Sequence, residues 1–412
     1  MAVGCQNQQV ESLYASYKKI ALNSKIENVQ PMTGIVFWAP AAREIRDVIS
    51  LEYAYMHYND IVKEEGVYDW TVVENLLNDI ASRSHQAILR FRYTYPGRAN
   101  TAPDYIKERD DYEVLWGKSE NRDTEFPDWR CPELRRFHLE FYKKFAERYD
   151  NDPRLAFVQT GFGLWAEYHI YDGPYIEGQT FPSKQFQGEF FRTLDEYFKF
   201  TAWSISIDAS PLKRYGPFAE AGNEDLMNKR FGLFDDSFMH QSHDRTNETW
   251  WNSLNYSERS KIAPMGGEFS YYTPEDQTNV LNREGIHGRT FESEAAKYRL
   301  TYMTGNDQRK YQVPERIKEA GMACGYRFAV EDFRSKGNHS AILIKNTGVA
   351  PIYRKAYVAV NGVRSEQSLH TLCPDESVWI EVASGGSSPV LTIECDHLVP
   401  GQKIEFEANI NF

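Results

Sequence analysis

Residues 132–169 read PELRRFHLEFYKKFAERYDNDPRLAFVQTGFGLWAEYH. In the first part, Pro132–Tyr149, apolar residues recur three and four apart, the period of a helix with one buried face. After a short connection comes Ala156–Gly161, a compact apolar run of the kind a buried strand shows. The run ends in glycines at 161 and 163 and then a knot of aromatic and ionisable residues, Trp165, Glu167, Tyr168 and His169. Helix, buried strand and polar strand-end loop, in that order, form the repeating unit of a parallel sheet with crossover helices.

The same alternation extends in both directions, from about residue 34 to about residue 320. The strand-like runs are Gly34–Ala39, Ser50–Met56, Ala87–Tyr93, Ala156–Gly161, Trp203–Asp208, Gly232–Asp235, Pro264–Phe269 and Leu300–Thr304. Asp69–Ser82, with Asp69 placed as an N-cap, and Ser183–Phe200 carry the helical period between them. Eight such strands predict an α/β fold, a (β/α)8 TIM barrel over residues 31–325. A doubly wound open sheet is the alternative, but no Gly-rich phosphate loop follows the first strand. After Cys324 the pattern changes to short runs separated by turns such as Asn361-Gly362 and Gly385-Gly386. Arg327–Val330, Ser340–Lys345, Ala356–Val360, Val378–Glu381, Val390–Glu394 and Ile404–Phe406 predict a small C-terminal β-sandwich over 326–412. Residues 1–30 read as a lead-in or tether.

Composition narrows the function. The chain of 412 residues carries a net charge of −12 without a Lys/Arg run, which argues against a nucleic-acid partner. An anionic polysaccharide stays open, because a local arginine pocket overrides global charge. No apolar stretch is long enough to span a membrane. Aromatics make up 14% of the chain, and they serve either as core or as stacking surfaces for sugar rings. The cysteines show no zinc spacing, and Cys373 and Cys395 are close enough in sequence to be candidates for pairing. Met-Ala-Val-Gly-Cys5 followed by a polar run resembles the cleavage end of a bacterial lipoprotein signal. It predicts a lipid anchor at Cys5, Gln6–Glu11 as a tether, and a cell-envelope location, periplasmic or on the outer-membrane surface.

In a barrel of this kind chemistry sits at the C-terminal ends of the strands. Two glutamates stand there in a Gly/aromatic setting: Glu167 after the fourth strand, and Glu268 on the seventh, in GGEFSYY at 266–272. Glycosidic cleavage needs such a pair, one carboxyl to protonate the leaving oxygen and one to attack or to activate water. A separation of about 5–5.5 Å would give retention of configuration. Tyr168 and Trp165 would crowd Glu167 and raise its pKa.

These residues carry a resemblance to a known group. GFGLWAEYH at 161–169, ILRFRY at 88–93, FGLFDDSF at 231–238, GGE at 266–268 and KNTGVAPIY at 345–353 resemble clan A glycoside hydrolases. The nearer likeness is to bacterial barrel-plus-sandwich proteins akin to family 42 β-galactosidases and algal-galactan hydrolases. The resemblance covers nearly the whole chain. It implies a retaining hydrolase of β-linked, galactan-type and also algal chains, with Glu167 as acid/base and Glu268 as nucleophile. One position departs from the pattern: the Asn that usually precedes the acid/base, contacting the sugar 2-hydroxyl, is Ala166 here. His169 and Arg92 are candidates to take over that contact.

Further candidates to hold substrate are Tyr93, Asp208, Asp235, His240 and Tyr271, with Arg92 able to bind a hydroxyl, carboxylate or sulfate. Asp236 shares the strand end with Asp235. His240 and His243 near Asp235 suggest a metal, but the first strand has no His-x-His, so neither metal nor cofactor is expected. A non-catalytic glycan-binding barrel is the competing expectation, kept open by Ala166.

Overall fold

The computed structural model describes residues 13–370 and 372–411; Cys5 and the tether expected at Gln6–Glu11 lie outside them. Eight parallel strands close into a barrel in sequence order. They are β1 (Gly34–Trp38), β2 (Leu51–His57), β3 (Gln86–Arg92), β4 (Leu155–Thr160), β5 (Ala202–Ser206), β6 (Phe231–Phe238), β7 (Met265–Phe269) and β8 (Tyr302–Thr304). Each coincides with one of the expected runs to within a few residues. The fold is therefore a (β/α)8 barrel.

Helices between the strands follow the apolar period. In α2 (Pro132–Tyr149) the buried positions are Leu134, Phe137, His138, Phe141, Tyr142, Phe145, Ala146 and Tyr149. Each Phe withdrawn from water on this stripe contributes about 1.5–3 kcal/mol. Pro132 opens the helix where its missing N–H costs nothing. α3 (Lys184–Tyr197) begins at Ser183, whose hydroxyl accepts the Phe186 N–H at 3.3 Å. α1 (Thr71–Ala81) starts one residue later than expected, with Trp70 at the cap position. Asp69 still accepts the Thr71 N–H at 2.9 Å, so its carboxylate does the satisfying from one position upstream.

Beyond residue 326 the chain forms two sheets. In the larger, β9 (Phe328–Lys336) lies between β10 (His339–Asn346) and β15 (Phe406–Ile410), and β13 (Ser377–Val382) pairs β10 at the edge. The smaller holds β12 (Val363–Ser368), β11 (Ala356–Val360) and β14 (Leu391–Cys395). β12 was not expected, because its residues are mostly polar and exposed and show no apolar alternation. The turn that creates it was legible: Asn361 and Gly362 both have positive φ, 51° and 79°, the two-residue hairpin turn. Cys373 and Cys395 are both free thiols.

The lead-in has structure of its own. Lys18–Lys19 pairs with β9, and Leu22–Ser24 pairs antiparallel with β15. Strand pairs this short and polar are chosen by their partners, which come from the other end of the chain.

The C-terminal sheets close the floor of the barrel. One apolar cluster runs from Val36, Tyr53, Ile88, Phe157 and Tyr302 of the barrel to Phe328, Ile342, Val358 and Ile393 of the sheets. Arg354 crosses the junction, buried, donating to the backbone oxygens of Leu155 at 3.0 Å and Asp150 at 3.3 Å and to Thr201 Oγ1 at 2.7 Å. Tyr326 and Tyr353 add bonds to the Pro31 and Ser260 carbonyls. Removing a buried donor strands its acceptors, at about 1–3 kcal/mol each. Arg354→Met is therefore expected to lower the thermal midpoint by several degrees, and an unchanged midpoint in a melting scan would show that the junction does not depend on this arginine.

Candidate active site

Strand parity decides which side chains meet at the mouth, since successive residues of a strand face opposite sides. On β3, Arg90 and Arg92 point inward, while Phe91 packs on Phe141 and Phe145 of α2. Arg90 is buried at the barrel centre. Its Nε and Nη2 donate to Gln159 Oε1 at 2.9 and 2.5 Å, and its Nη1 donates to Glu167 Oε1 at 2.8 Å and to the Trp165 carbonyl at 3.2 Å. Below it Gln159 Nε2 donates to the Tyr302 hydroxyl at 2.7 Å, and the Phe234 ring lies 4.2 Å from the guanidinium.

Glu167 stands on the tight loop after β4. The loop folds back on itself: Gly163 N–H donates to the Glu167 carbonyl at 2.7 Å, and Leu164 N–H to that of His169 at 3.0 Å. A Cβ on Gly161 would overlap the Ala166 carbonyl, and one on Gly163 the His169 carbonyl. These two glycines serve the loop's close approach to itself, not to a ligand. Trp165 and Ala166 both sit in the left-handed region, φ 55° and 60°, a conformation costing about 1–2 kcal/mol per L-residue. The reward is the placement of Glu167 over Arg90.

His169 Nε2 lies 2.9 Å from Glu167 Oε2, 3.5 Å from Asp236 Oδ2 and 4.0 Å from Asp208 Oδ2. Lys213 bonds the other oxygen of Asp208. Burial works against a charged His169, but Asp208, Asp236 and Glu167 outweigh it and hold the ring protonated well above its usual range. Asp236 is likewise opposed by burial, yet donors from His169 and Glu167 keep it ionised. Glu167 is pushed up to about 8, by burial first and by the charge of Asp236 second, against the pull of His169 and Arg90. It thus holds a proton at neutral pH despite two cationic neighbours.

Glu268 leaves β7 beside this group. Gly267 before it lies against the Asp235 backbone, and Gly266 lies under the Tyr302 ring, where a Cβ would overlap the ring carbons. Its carboxyl sits deep among protein atoms but keeps an accessible edge. Burial raises its pKa to about 7, with Arg90 opposing and Asp236 and Asp307 adding to the rise. The charges of Arg90 and Asp236 therefore act on both glutamates.

Of the other expected residues, Trp165 packs against His169 and stacks on Tyr171 at 6.2 Å, and Tyr271 stands half exposed at the rim within the field of Glu268. Asp208 belongs to the His169 cluster. His240 is held by Asp276 at 2.6 Å and stacks on Tyr272, a rim position. Two expectations are corrected. Tyr93 does not reach the mouth: it faces the helices, stacked on Tyr58 at 4.2 Å and bonded to His138 at 3.0 Å. Asp235 also faces outward, accepting from Asn247 at 2.9 and 3.0 Å and from Trp251 at 3.2 Å. Both misplacements are errors of one residue in parity, and the inward partners are Arg92 and Asp236. Arg90 and Lys213 were missed as site residues. Counting back two from Arg92 would have found Arg90.

The pair His240 and His243 does not converge with Asp235. Among the described residues, the group able to hold a metal is instead Glu167, His169, Asp208 and Asp236, whose ligand atoms lie within 4.8 Å of one another. An ion there would have to displace the proton of His169 and compete with Lys213, which already balance the carboxylates.

No protein-family description and no curated protein sequence matches the chain. Solved structures similar to it include the catalytic domain of β-amylase from Paenibacillus polymyxa, at 10% identity over 69% of this chain and 93% of that one, with a TM-score of 0.43. Endogalactoceramidase is similar at 9% identity over 92% and 97% of the two chains, TM-score 0.43. A family 30 subfamily 8 xylanase from Clostridium acetobutylicum aligns at 9% identity over 90% and 98%, TM-score 0.39.

The raised pKa of Glu268 has a measurable consequence. An acid that holds its proton more tightly folded than unfolded loses stability as pH climbs from its ordinary 4.5 to about 7. Glu268→Gln is expected to be more stable than the parent above pH 7, by on the order of 2 kcal/mol, and equal to it near pH 4. Melting scans across this range check it; a variant less stable at pH 8 would contradict the buried, protonated carboxyl.

Proposed function

We propose that the protein is a glycoside hydrolase that cleaves a β-glycosidic bond by a retaining double displacement, with Glu167 as acid/base and Glu268 as nucleophile. The observation that carries this reading is the asymmetry of the two carboxyls in one shared field. Glu167 is bonded on both oxygens, by Arg90 and His169, and holds its proton to about 8. Glu268 accepts no hydrogen bond from a described residue and releases its proton at about 7. An acid and a base with separated pKa values are what the two steps require.

In the first step Glu167 gives its proton to the leaving oxygen while the Glu268 carboxylate attacks the anomeric carbon, forming a glycosyl ester. The charge that appears on Glu167 falls on an oxygen pair already faced by Arg90 and His169, so the donors need no rearrangement. In the second step Glu167 takes a proton from water, which attacks the same carbon and releases Glu268. Trp165, Tyr171, Tyr271 and Tyr272 around the mouth offer ring faces to sugar C–H surfaces. The resemblance of GFGLWAEYH and its companion motifs suggests a galactan-type chain, algal galactans included. A lipid anchor at Cys5 would hold such an enzyme at the cell envelope, where a polymer is met. Labelling with a fatty-acid analogue, lost in Cys5→Ala, is the expected result.

Activity needs Glu268 ionised and Glu167 protonated. The profile of kcat/KM on an aryl β-galactoside is therefore expected to be a narrow bell, rising through about 7 and falling through about 8. Glu167→Ala should retain activated aryl glycosides with azide rescue, and Glu268→Ala should lose both by about 10³-fold or more. Product anomers read by NMR at early times should keep the substrate configuration; inversion would remove the nucleophile role from Glu268. Binding of oligosaccharide without turnover would favour the non-catalytic barrel that Ala166 leaves open. Loss of activity on chelation, restored by a divalent ion, would favour a metal at Glu167, His169, Asp208 and Asp236.

A further inference from the structure

One guanidinium near the mouth has no counter-charge. Arg92 ends β3, pointing inward one layer above Arg90, and is 3% exposed. Its Nη2 meets His57 Nε2 at 2.7 Å, while Nε and Nη1 have no partner among the described residues. His57 supplies no negative charge. Its Nδ1 faces Asp60 at 3.1 Å, and burial, with Arg92 beside it, lowers its pKa, so the ring is neutral and Nε2 accepts. Asp60 is the acidic group facing the pair, and it is spent on the far side of His57. The other neighbours of Arg92 are tyrosine rings, Tyr95 at 4.7 Å and Tyr55 at 5.6 Å. A second arginine, Arg98, is exposed and lies 4.9 Å from the same Tyr95 ring. Its charge acts on both Arg92 and His57, which makes the shortage of negative charge worse.

A buried, unpaired cation costs several kcal/mol, and in a chain of net charge −12 acidic residues to pair it are plentiful. The arrangement is adjacent to the acid/base loop: Trp165 N–H donates to the Thr94 carbonyl at 3.1 Å, and the Trp165 ring meets Tyr95 at 6.2 Å. Through Tyr95, Arg92 therefore adjoins the loop that carries Glu167.

We infer that Arg92 and Arg98 form a subsite for an anionic substituent, a carboxylate or a sulfate ester, on a sugar bound next to Glu167. The inference rests on the glycoside hydrolase reading for its substrate class, and deepens it: the chain cleaved is acidic. With Nη2 taken by His57, the two free donors, Nε–H and the Nη1 hydrogens, lie on different sides of the guanidinium, and each offers one charge-assisted bond to an oxyanion. Tyr95, partly exposed and touching both arginines, is the group that must turn aside to admit the anion.

The test reads binding apart from catalysis. Thermal shifts of the full chain are measured with galactose, galactose 6-sulfate and galacturonate at constant ionic strength, and with sodium sulfate. A saturable rise with one or both charged sugars, absent with galactose, is expected, and which of the two gives it distinguishes sulfate from carboxylate. Arg92→Met should melt higher than the parent without ligand, having lost an unpaired buried charge, and should lose the ligand-induced rise at least tenfold in half-saturating concentration. Arg98→Met should weaken it less. Equal shifts with galactose, or an undiminished shift in Arg92→Met, would overturn the subsite. Turnover of the aryl β-galactoside by the parent chain would leave the hydrolase reading standing, whichever way the binding falls. No turnover by the parent would remove that reading while the sugar-acid shifts still decide the subsite.

Discussion

A positive charge at the centre of the barrel organises the mouth. Arg90 sits where most barrels of this size hold branched apolar side chains, and a guanidinium there must be surrounded by acceptors or it destabilises the fold. Gln159 supplies one from the adjacent strand, Tyr302 fixes the amide of Gln159, and Phe234 gives the charge an aromatic face. The remaining acceptor is Glu167. Because β4 ends at Thr160, the chain can return a carboxylate to Arg90 only by a tight reversal, and the two left-handed residues Trp165 and Ala166 are that reversal.

The carboxylates respond to this anchor as a group. Glu167, Asp208 and Asp236 face Arg90, His169 and Lys213, and the protonation of each follows from who lies nearest. Asp236, with donors from two sides, stays ionised. Glu167, buried beside an ionised neighbour, keeps a proton. Glu268 feels Arg90 only through space and titrates between them. The order of these three acids is a property of the cluster, since removing any one charge would shift the others.

The cost of so much buried polarity is met at the opposite end of the barrel. There the C-terminal sheets, with the N-terminal segment as their edge, cover the floor with a continuous apolar cluster, and Arg354 ties them to the ends of β4 and β5. The two ends use arginine differently. Arg354 is satisfied by two backbone oxygens and the Thr201 hydroxyl, whereas Arg92 at the mouth has only His57 among the described residues, with Nε and Nη1 left over.

Periodicity determined the barrel from the sequence alone. Eight apolar runs with helical stretches between them leave few other ways to bury both faces of every strand, and the two strand-end glutamates followed from where such barrels keep their chemistry. The hairpin at Asn361-Gly362 was legible for a similar reason, because φ above zero at both positions suits these residues. Three things were decided only by the tertiary structure. Whether Arg92 or Tyr93, Asp236 or Asp235, faces the mouth depends on strand parity, and where two polar or aromatic residues stand side by side at the end of a strand buried on both faces, the run itself does not say which one turns inward. That Leu22–Ser24 joins β15 depends on a pairing between chain ends, to which two short polar segments contribute no local signal. And the protonation of Glu167 and Glu268 depends on Arg90 and Asp236, charges from other strands whose placement sets which carboxyl keeps its proton.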